Sequence, residues 1–368
     1  MSSFQGSIEK TFDEEMANFR KNKANLMIMG GTGAGKSSLI NKVFGHGVAK
    51  TGSGRPVTSG IHLYSSESSP INIFDTAGYE VKGENEVTDK FEQEVIQEIV
   101  RRFNLELSEQ IHAIWYCISI SNHRVFPYDI ERLRSLEVKS VPLFIVFTQC
   151  DNDEEDEHGN GVTAGEYRKV LQEANLKCIE VFETSTEGDT AFDLDALIEA
   201  TTKSIKDQDL RNAFIAAQLS SIPLKRDSAG TIIHTAAAAA GAAGAIPIPF
   251  SDAPIIAAAQ MTMAAKLAGV YGFNVFGEMA ATLLKSQLVS LSGKQLAASA
   301  TKFIPYLGSV INGAVAVTFT EALGWSLAKL YEKALENYLK TGETPQWSKI
   351  FSGDMLSSFI SDYLRSKK

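Results

Sequence analysis

The stretch Gly30-Gly31-Thr32-Gly33-Ala34-Gly35-Lys36-Ser37 sets four glycines in front of a lysine and a serine. Without Cβ atoms in the way, successive backbone N–H groups can turn inward around one anion. A helix that starts at Lys36 would add the positive end of its dipole. The spacing G-x-x-x-x-G-K-[ST] suits a loop that cradles phosphates, with Lys36 reaching the outer phosphates and the Ser37 hydroxyl meeting Mg²⁺. The loop needs a strand before it and a helix after it. Leu26–Met29 is a short apolar run, and Ser38–Phe44 has helical character.

Further signals follow in order along the chain. Asp75-Thr76-Ala77-Gly78 closes a strand read at Ile71–Phe74. An Asp at a strand's carboxyl end can hold Mg²⁺ through water, and the Gly78 N–H can meet a terminal phosphate. Thr58, in Arg55-Pro56-Val57-Thr58-Ser59-Gly60, is read in a loop, where its hydroxyl can complete the Mg²⁺ shell only while that phosphate is present. Thr148-Gln149-Cys150-Asp151 follows a strand read at Leu143–Phe147. Asp151 can accept two hydrogen bonds from guanine, and a site built for them rejects adenine. Glu183-Thr184-Ser185-Thr186 can present a backbone N–H to the guanine oxygen.

This ordered set resembles translation-factor-class P-loop GTPases, Era-like and septin-like bacterial members among them, over about residues 24–205. The resemblance implies hydrolysis of GTP to GDP with Mg²⁺. It implies nucleotide contacts from Gly31, Thr32, Gly33, Ala34, Gly35, Lys36, Ser37, Ser38, Thr148, Gln149, Asp151 and Ser185. It implies Mg²⁺ ligands at Ser37, Thr58 and, through water, Asp75, with Lys36, Thr58 and Gly78 serving the reaction. Two departures bear on rate and affinity. Gln149 stands where the family's base-reading motif has lysine, which implies weaker binding with guanine preference kept through Asp151. Tyr79 stands where Ras-like members place a water-orienting Gln, which implies slow turnover that needs help. Arg55 precedes Thr58 by three positions, a spacing similar to the cis arginine of heterotrimeric G-protein α subunits, and is the candidate for that help against the alternative of an exposed loop arginine.

These residues need a scaffold. Strands are read at 26–29, 61–64, 71–74, 113–120, 143–147 and 178–182, and helices over 84–103, 127–137, 164–174 and 193–205. The alternation predicts an α/β fold, a mostly parallel sheet with helices on both faces, followed by an all-α domain. Phe4, Ile8, Phe12, Met16 and Phe19 form the apolar stripe of an amino-terminal amphipathic helix. The domains read as 1–22 for that helix, 23–205 for the GTPase domain and 206–368 for a helical, Ala/Gly-rich domain.

Charge supports that division. From residue 206 onward there are 15 Lys+Arg against 11 Asp+Glu, and the remainder carries 20 against 33. The whole chain has 368 residues and a net charge of −9, which argues against a protein that binds nucleic acid by neutralising phosphates. The amino terminus reads as neither a secretory signal nor a myristoylation site, and the carboxyl end is no prenylation box. Cys117, Cys150 and Cys178 are too few and too scattered for a disulfide framework or a zinc site, so a reducing cytoplasm is expected, with peripheral membrane association left open. The six histidines show no ligand spacing, and the acidic run 151–157 lacks the Gly and Glu of a calcium loop.

The helical part holds two uncharged runs, 228–251 and 303–320. They read either as helices packed closely through small residues or as segments that lie on or in a bilayer. Phe303–Gly308 and Ala322–Trp325 look like a helical module of unknown function found after bacterial GTPase domains. The overall layout is similar to that of immunity-related GTPases. The expected ligands are GTP or GDP. A second copy through the GTPase domain, and a protein or membrane surface through the helical domain, are the candidate partners. The reading is a GTP-binding switch. Against it stand a nucleotide-binding scaffold with little turnover and, with less support, a P-loop ATPase or kinase.

Overall fold

The computed structural model describes residues 21–45, 55–58, 60–66, 69–76, 91–137, 139–176, 180–187, 192–244, 253–272, 313–341 and 353–366, with scattered positions from 6 to 17. The chain forms two compact units. One runs from Asn22 to Ser221, and the other joins Met1–Lys21 to Ile222–Lys368.

The first unit is built on a seven-stranded sheet in the order β2-β3-β4-β1-β5-β6-β7. Its strands are β1 (Ala24–Met29), β2 (Arg55–Thr58), β3 (Ile61–Tyr64), β4 (Ile71–Thr76), β5 (Ala113–Ser119), β6 (Leu143–Thr148) and β7 (Glu180–Glu183). The β2–β3 and β3–β4 pairs are antiparallel; every other pair is parallel. All residues of β1, β5 and β6 are buried, as expected of parallel strands covered on both faces, which read as unbroken apolar runs. The helices are α1 (Lys36–Phe44), α2 (Gln97–Phe103, led by a π-helical turn Glu92–Ile96), α3 (Pro127–Glu137), α4 (Val162–Glu173), α5 (Leu194–Ser204) and α6 (Gln208–Ala217).

Two sequence readings change. Arg55–Thr58, read as loop, forms the edge strand β2, so Thr58 ends a strand and pairs with Ile61. The domain boundary read at 205 gives way to one after Ser221, because α6 packs on the sheet. Phe214 of α6 lies edge-on to Trp115 of β5 and to Phe44 of α1, at 6.5 and 6.0 Å between ring centres. The charge balance shifts at 206, but burial decides where a unit ends, and Ala213, Phe214, Ala216 and Ala217 of α6 are buried.

The second unit contains α7 (Ile222–Gly244), α8 (Ala253–Val270), α9 (Gly313–Thr341) and α10 (Gly353–Ser366). Small residues let these helices close on one another. A Cβ on Gly244 would stand 3.2 Å from the Gly313 Cα, and one on Gly324 would stand 2.7 Å from an Ile233 methylene carbon. The buried Lys225 Nζ donates to the Val270 carbonyl at 2.7 Å, at the end of α8. Among the described residues, no helix is long and apolar enough to cross a membrane. The described positions from 6 to 17, together with Lys21, are helical, while Phe4, Ile8, Phe12, Met16 and Phe19 lie outside the described residues, as does Phe303–Gly308.

Candidate nucleotide-binding site

The sheet delivers its loops to one edge. β1 lies between β4 and β5, and the chain's winding reverses there, so the carboxyl ends of β1, β4, β5 and β6 meet around a crevice. The glycine loop leaves β1 at this point. Gly30 has φ +139°, and a Cβ there would drive into the Cys117 carbonyl oxygen of β5. Gly33 and Gly35 have φ +78° and +72°, a region that favours glycine. Gly35 caps α1 without a side chain to occupy the first-turn N–H groups, and that turn carries no acidic residue. The loop therefore points an uncapped helix start at its own hollow, a favourable place for an anion.

Lys36 bends back over the loop. Its Nζ donates to the Gly30 and Gly31 carbonyls at 2.8 and 3.0 Å, which draws the ammonium across the hollow. Thr32, Gly33, Ser37 and Ser38 are exposed, and Ala34 is buried beneath them. Asp75 sits in β4, paired with Ile28 of β1 on one side and His62 of β3 on the other. Its Oδ1 is buried and has no hydrogen-bond partner among the described residues. Burial raises the Asp75 pKa, and the nearby Lys36 and His62 pull it back down. An orphaned carboxylate oxygen costs free energy unless something outside the described residues meets it. A hard cation with its water shell is a chemical match, and Ser37, exposed in the first turn of α1, carries a hydroxyl oxygen of the kind such a cation takes. The residues present thus fit Mg²⁺.

Thr58 contributes a hydroxyl that accepts from the Gly60 N–H at 3.3 Å and lies 3.5 Å from Glu94 in the π-helical turn. The Arg55 side chain, Ala77, Gly78 and Tyr79 lie outside the described residues.

The far end of the crevice is made by β6 and β7. Thr148 is buried, and its hydroxyl donates to the Ala34 carbonyl at 2.9 Å, so it ties β6 to the phosphate loop. Gln149 follows in the left-handed region at φ +59°. Asp151 is exposed, and the buried Ser185 hydroxyl donates to its Oδ1 at 2.6 Å. The Glu187 N–H in turn donates to Ser185 Oγ at 3.1 Å. Sequence reasoning looked to the Ser185 stretch for a backbone donor, and the structure adds a side chain that orients the carboxylate. Cys150 is buried nearby, and burial pushes its thiol up to about 12. In the acidic run, Asp153 caps α4 by accepting from the Thr163 and Ala164 N–H groups at 3.0 and 2.9 Å. No cluster of three or more His, Cys, Asp or Glu side chains that could hold a metal by themselves occurs among the described residues.

Sequence reasoning missed Ser119 and Ser121. Both donate to the Gln149 Oε1, at 2.8 and 2.7 Å. The available signal was a pair of serines two residues apart where the β5 strand ends.

Residues 25–149 match the family model described as 50S ribosome-binding GTPase, about a third of the chain. No curated protein matches the sequence. Similar solved structures include a probable GTP-binding protein, engB, at 15% identity and a TM-score of 0.35, covering 50% of this chain and 99% of that one. Aquifex aeolicus Era bound to GDP and AlF4− is similar at 15% identity and a TM-score of 0.34, covering 50% of this chain and 58% of its own. The G domain of the T. maritima FeoB iron transporter follows at 16% identity and a TM-score of 0.32, covering 50% and 98%. The family match over residues 25–149, together with the glycine loop on its strand and helix, supports a GTP-binding P-loop GTPase domain in this part of the chain.

Proposed function

We propose that the protein is a GTP-binding switch that hydrolyses GTP slowly and couples its nucleotide state to the helical unit. One observation carries this reading: the Gly30–Ser37 loop curls under Lys36, near the Oδ1 of Asp75, which is buried and has no hydrogen-bond partner among the described residues. The loop's N–H groups and Lys36 would bind the β- and γ-phosphates. Ser37, Thr58 and, through water, Asp75 would hold Mg²⁺, which when bound neutralises charge on the phosphate oxygens. Gly78 would donate its N–H to the γ-phosphate, and Asp151, oriented by Ser185, would read guanine. Slow turnover follows from Tyr79, whose phenol cannot orient water as a glutamine does, and Arg55 is the candidate source of help.

Support for coupling lies in the segment that leads to α7. Leu219 N–H donates to the Val43 carbonyl at 2.7 Å, and the Ser220 hydroxyl donates to the Lys42 carbonyl at 2.8 Å. Both carbonyls belong to α1, whose other end carries the phosphate loop. A shift of α1 on nucleotide binding would pull on this segment. The proposed setting is the cytoplasm, with the helical unit turned to a protein or membrane partner and with a second copy as the candidate activator.

The test is single-turnover hydrolysis of GTP with Mg²⁺ or with a chelator, at rising protein concentration, for the protein and for Lys36→Ala and Asp75→Ala. The expected result is slow, Mg²⁺-dependent hydrolysis that both variants abolish. ATP competing equally with GTP would overturn the reading. A second reading, a scaffold with little turnover, is favoured by the neutral Gln149 in the base-binding turn. Tight GTP binding with no hydrolysis at any protein concentration would select it.

A further inference from the structure

Gln149 lies between the two halves of the crevice. Its Oε1 accepts from Ser119 Oγ at 2.8 Å and Ser121 Oγ at 2.7 Å, and its Nε2 stands 3.5 Å from the Gly33 carbonyl oxygen of the phosphate loop. The amide's orientation follows from the chemistry of its neighbours. The Gly33 carbonyl can only accept, so the NH₂ must face it and the oxygen must face the hydroxyls. Ser119 is buried at the end of β5, where it pairs with Thr148, and its oxygen also accepts the Ser121 N–H at 3.2 Å. The two serines therefore form one unit with a single outward acceptor, and that acceptor is Gln149.

A glutamine side chain turns about three bonds, and its contact with a carbonyl lacks the strength a cation would give. It holds a loop only if something else fixes it first. Two hydroxyls on one oxygen do that before any ligand arrives, so the ordering cost is not met at the moment of binding. The backbone of Gln149 is also committed, in the left-handed region at φ +59°, which a non-glycine residue keeps only when its surroundings impose it.

We propose that Ser119 and Ser121 are positioning residues for guanine-nucleotide binding. They lock the Gln149 carboxamide against Gly33, so that the phosphate loop and the base-reading turn meet the nucleotide as one preassembled surface. This inference rests on the proposed reading of GTP as the ligand.

The experiment is titration of the full chain with a fluorescent GDP analogue in a double-mutant cycle. The variants are Ser121→Ala, Ser119→Ala with Ser121→Ala, Gln149→Ala, and the serine variants combined with Gln149→Ala. Each lost hydroxyl is expected to weaken affinity about 2- to 10-fold in the Gln149 background, the range of one net hydrogen bond. In the Gln149→Ala background the same serine changes are expected to have no effect. Ser121→Thr, which keeps the hydroxyl, is expected to restore affinity. Ser121 is exposed, so its alanine variant tests the point even if loss of the buried Ser119 hydroxyl impairs folding. Unchanged affinity in Ser121→Ala, or an equal loss in both backgrounds, would overturn the inference while leaving GTP as the ligand. If the unaltered protein binds no guanine nucleotide, the functional reading falls first and the inference with it.

Discussion

Replacing Thr148 with Val isolates one hydrogen bond that holds the phosphate loop. The two side chains have nearly the same shape, and Thr148 is 4% exposed, so packing changes little. What disappears is the donor to the Ala34 carbonyl, 2.9 Å away on a residue 2% exposed. A buried carbonyl left without that partner costs about 1–3 kcal/mol. The cost can appear in two places. If the loop stays put, the α/β unit loses that stability. If the loop lifts to wet the carbonyl, the cost falls on nucleotide binding, where 1–3 kcal/mol is about 5- to 150-fold in affinity. Urea unfolding and nucleotide titration of one preparation measure both, and their sum is expected to reach at least ~1 kcal/mol. Thr148→Ser, which keeps the hydroxyl, is the control. If Thr148→Val leaves stability and affinity both within ~0.5 kcal/mol of the parent, the bond does not hold the loop.

Gly30→Ala is expected to abolish GTP binding, because the new methyl meets the Cys117 carbonyl at φ +139°; retained affinity in a titration would show that the loop tolerates displacement. Gly324→Ala is expected to destabilise the helical unit by about 1–3 kcal/mol in thermal or urea unfolding, since its methyl falls 2.7 Å from Ile233 and 2.9 Å from the Met263 sulfur. His112 supplies a pH dependence. Burial lowers its pKa from 6.5, and its Nδ1 accepts the Asn25 N–H at 2.7 Å, a role open only to the neutral ring. The unfolded chain therefore binds the proton more readily. The His112 contribution is complete above pH 6.5 and is lost as pH falls below it toward the depressed folded value. His112→Gln is expected to flatten the loss of stability with acid in that range, and an unchanged acid slope in urea unfolding would count against it.

The legible part of this protein is the part fixed by local rules. Gly30–Ser37 could be read because phosphate chemistry dictates both residue type and spacing, and β1, β5 and β6 because strands buried on both faces must be continuously apolar. The strand β2 was not legible. It is an edge strand of four residues opening with Arg-Pro, too short and too polar to show a period. Ser119 and Ser121 escaped for another reason: their partner, Gln149, is 28 or more residues away, and only the parallel register of β5 on β6 brings them together. The boundary at 205 misled because charge records what a surface meets, while the end of the unit depends on the burial of Phe214 against Trp115 and Phe44.

That burial gives α1 a second role. At its start the helix carries Lys36 and Ser37, and at its finish Phe44 stacks on Trp115 at 6.0 Å between ring centres. Lys42 joins two further segments: its carbonyl accepts the Ser220 hydroxyl, and its Nζ lies 3.5 Å from the Thr186 carbonyl. A nine-residue helix is about 13 Å long and stiff on that scale, so its ends move together. Its starting turn closes the glycine loop, and its final turn accepts the hydrogen bonds of the segment that continues into α7. On the proposed reading, movement of α1 with nucleotide would reach Leu219 and Ser220 through these two hydrogen bonds.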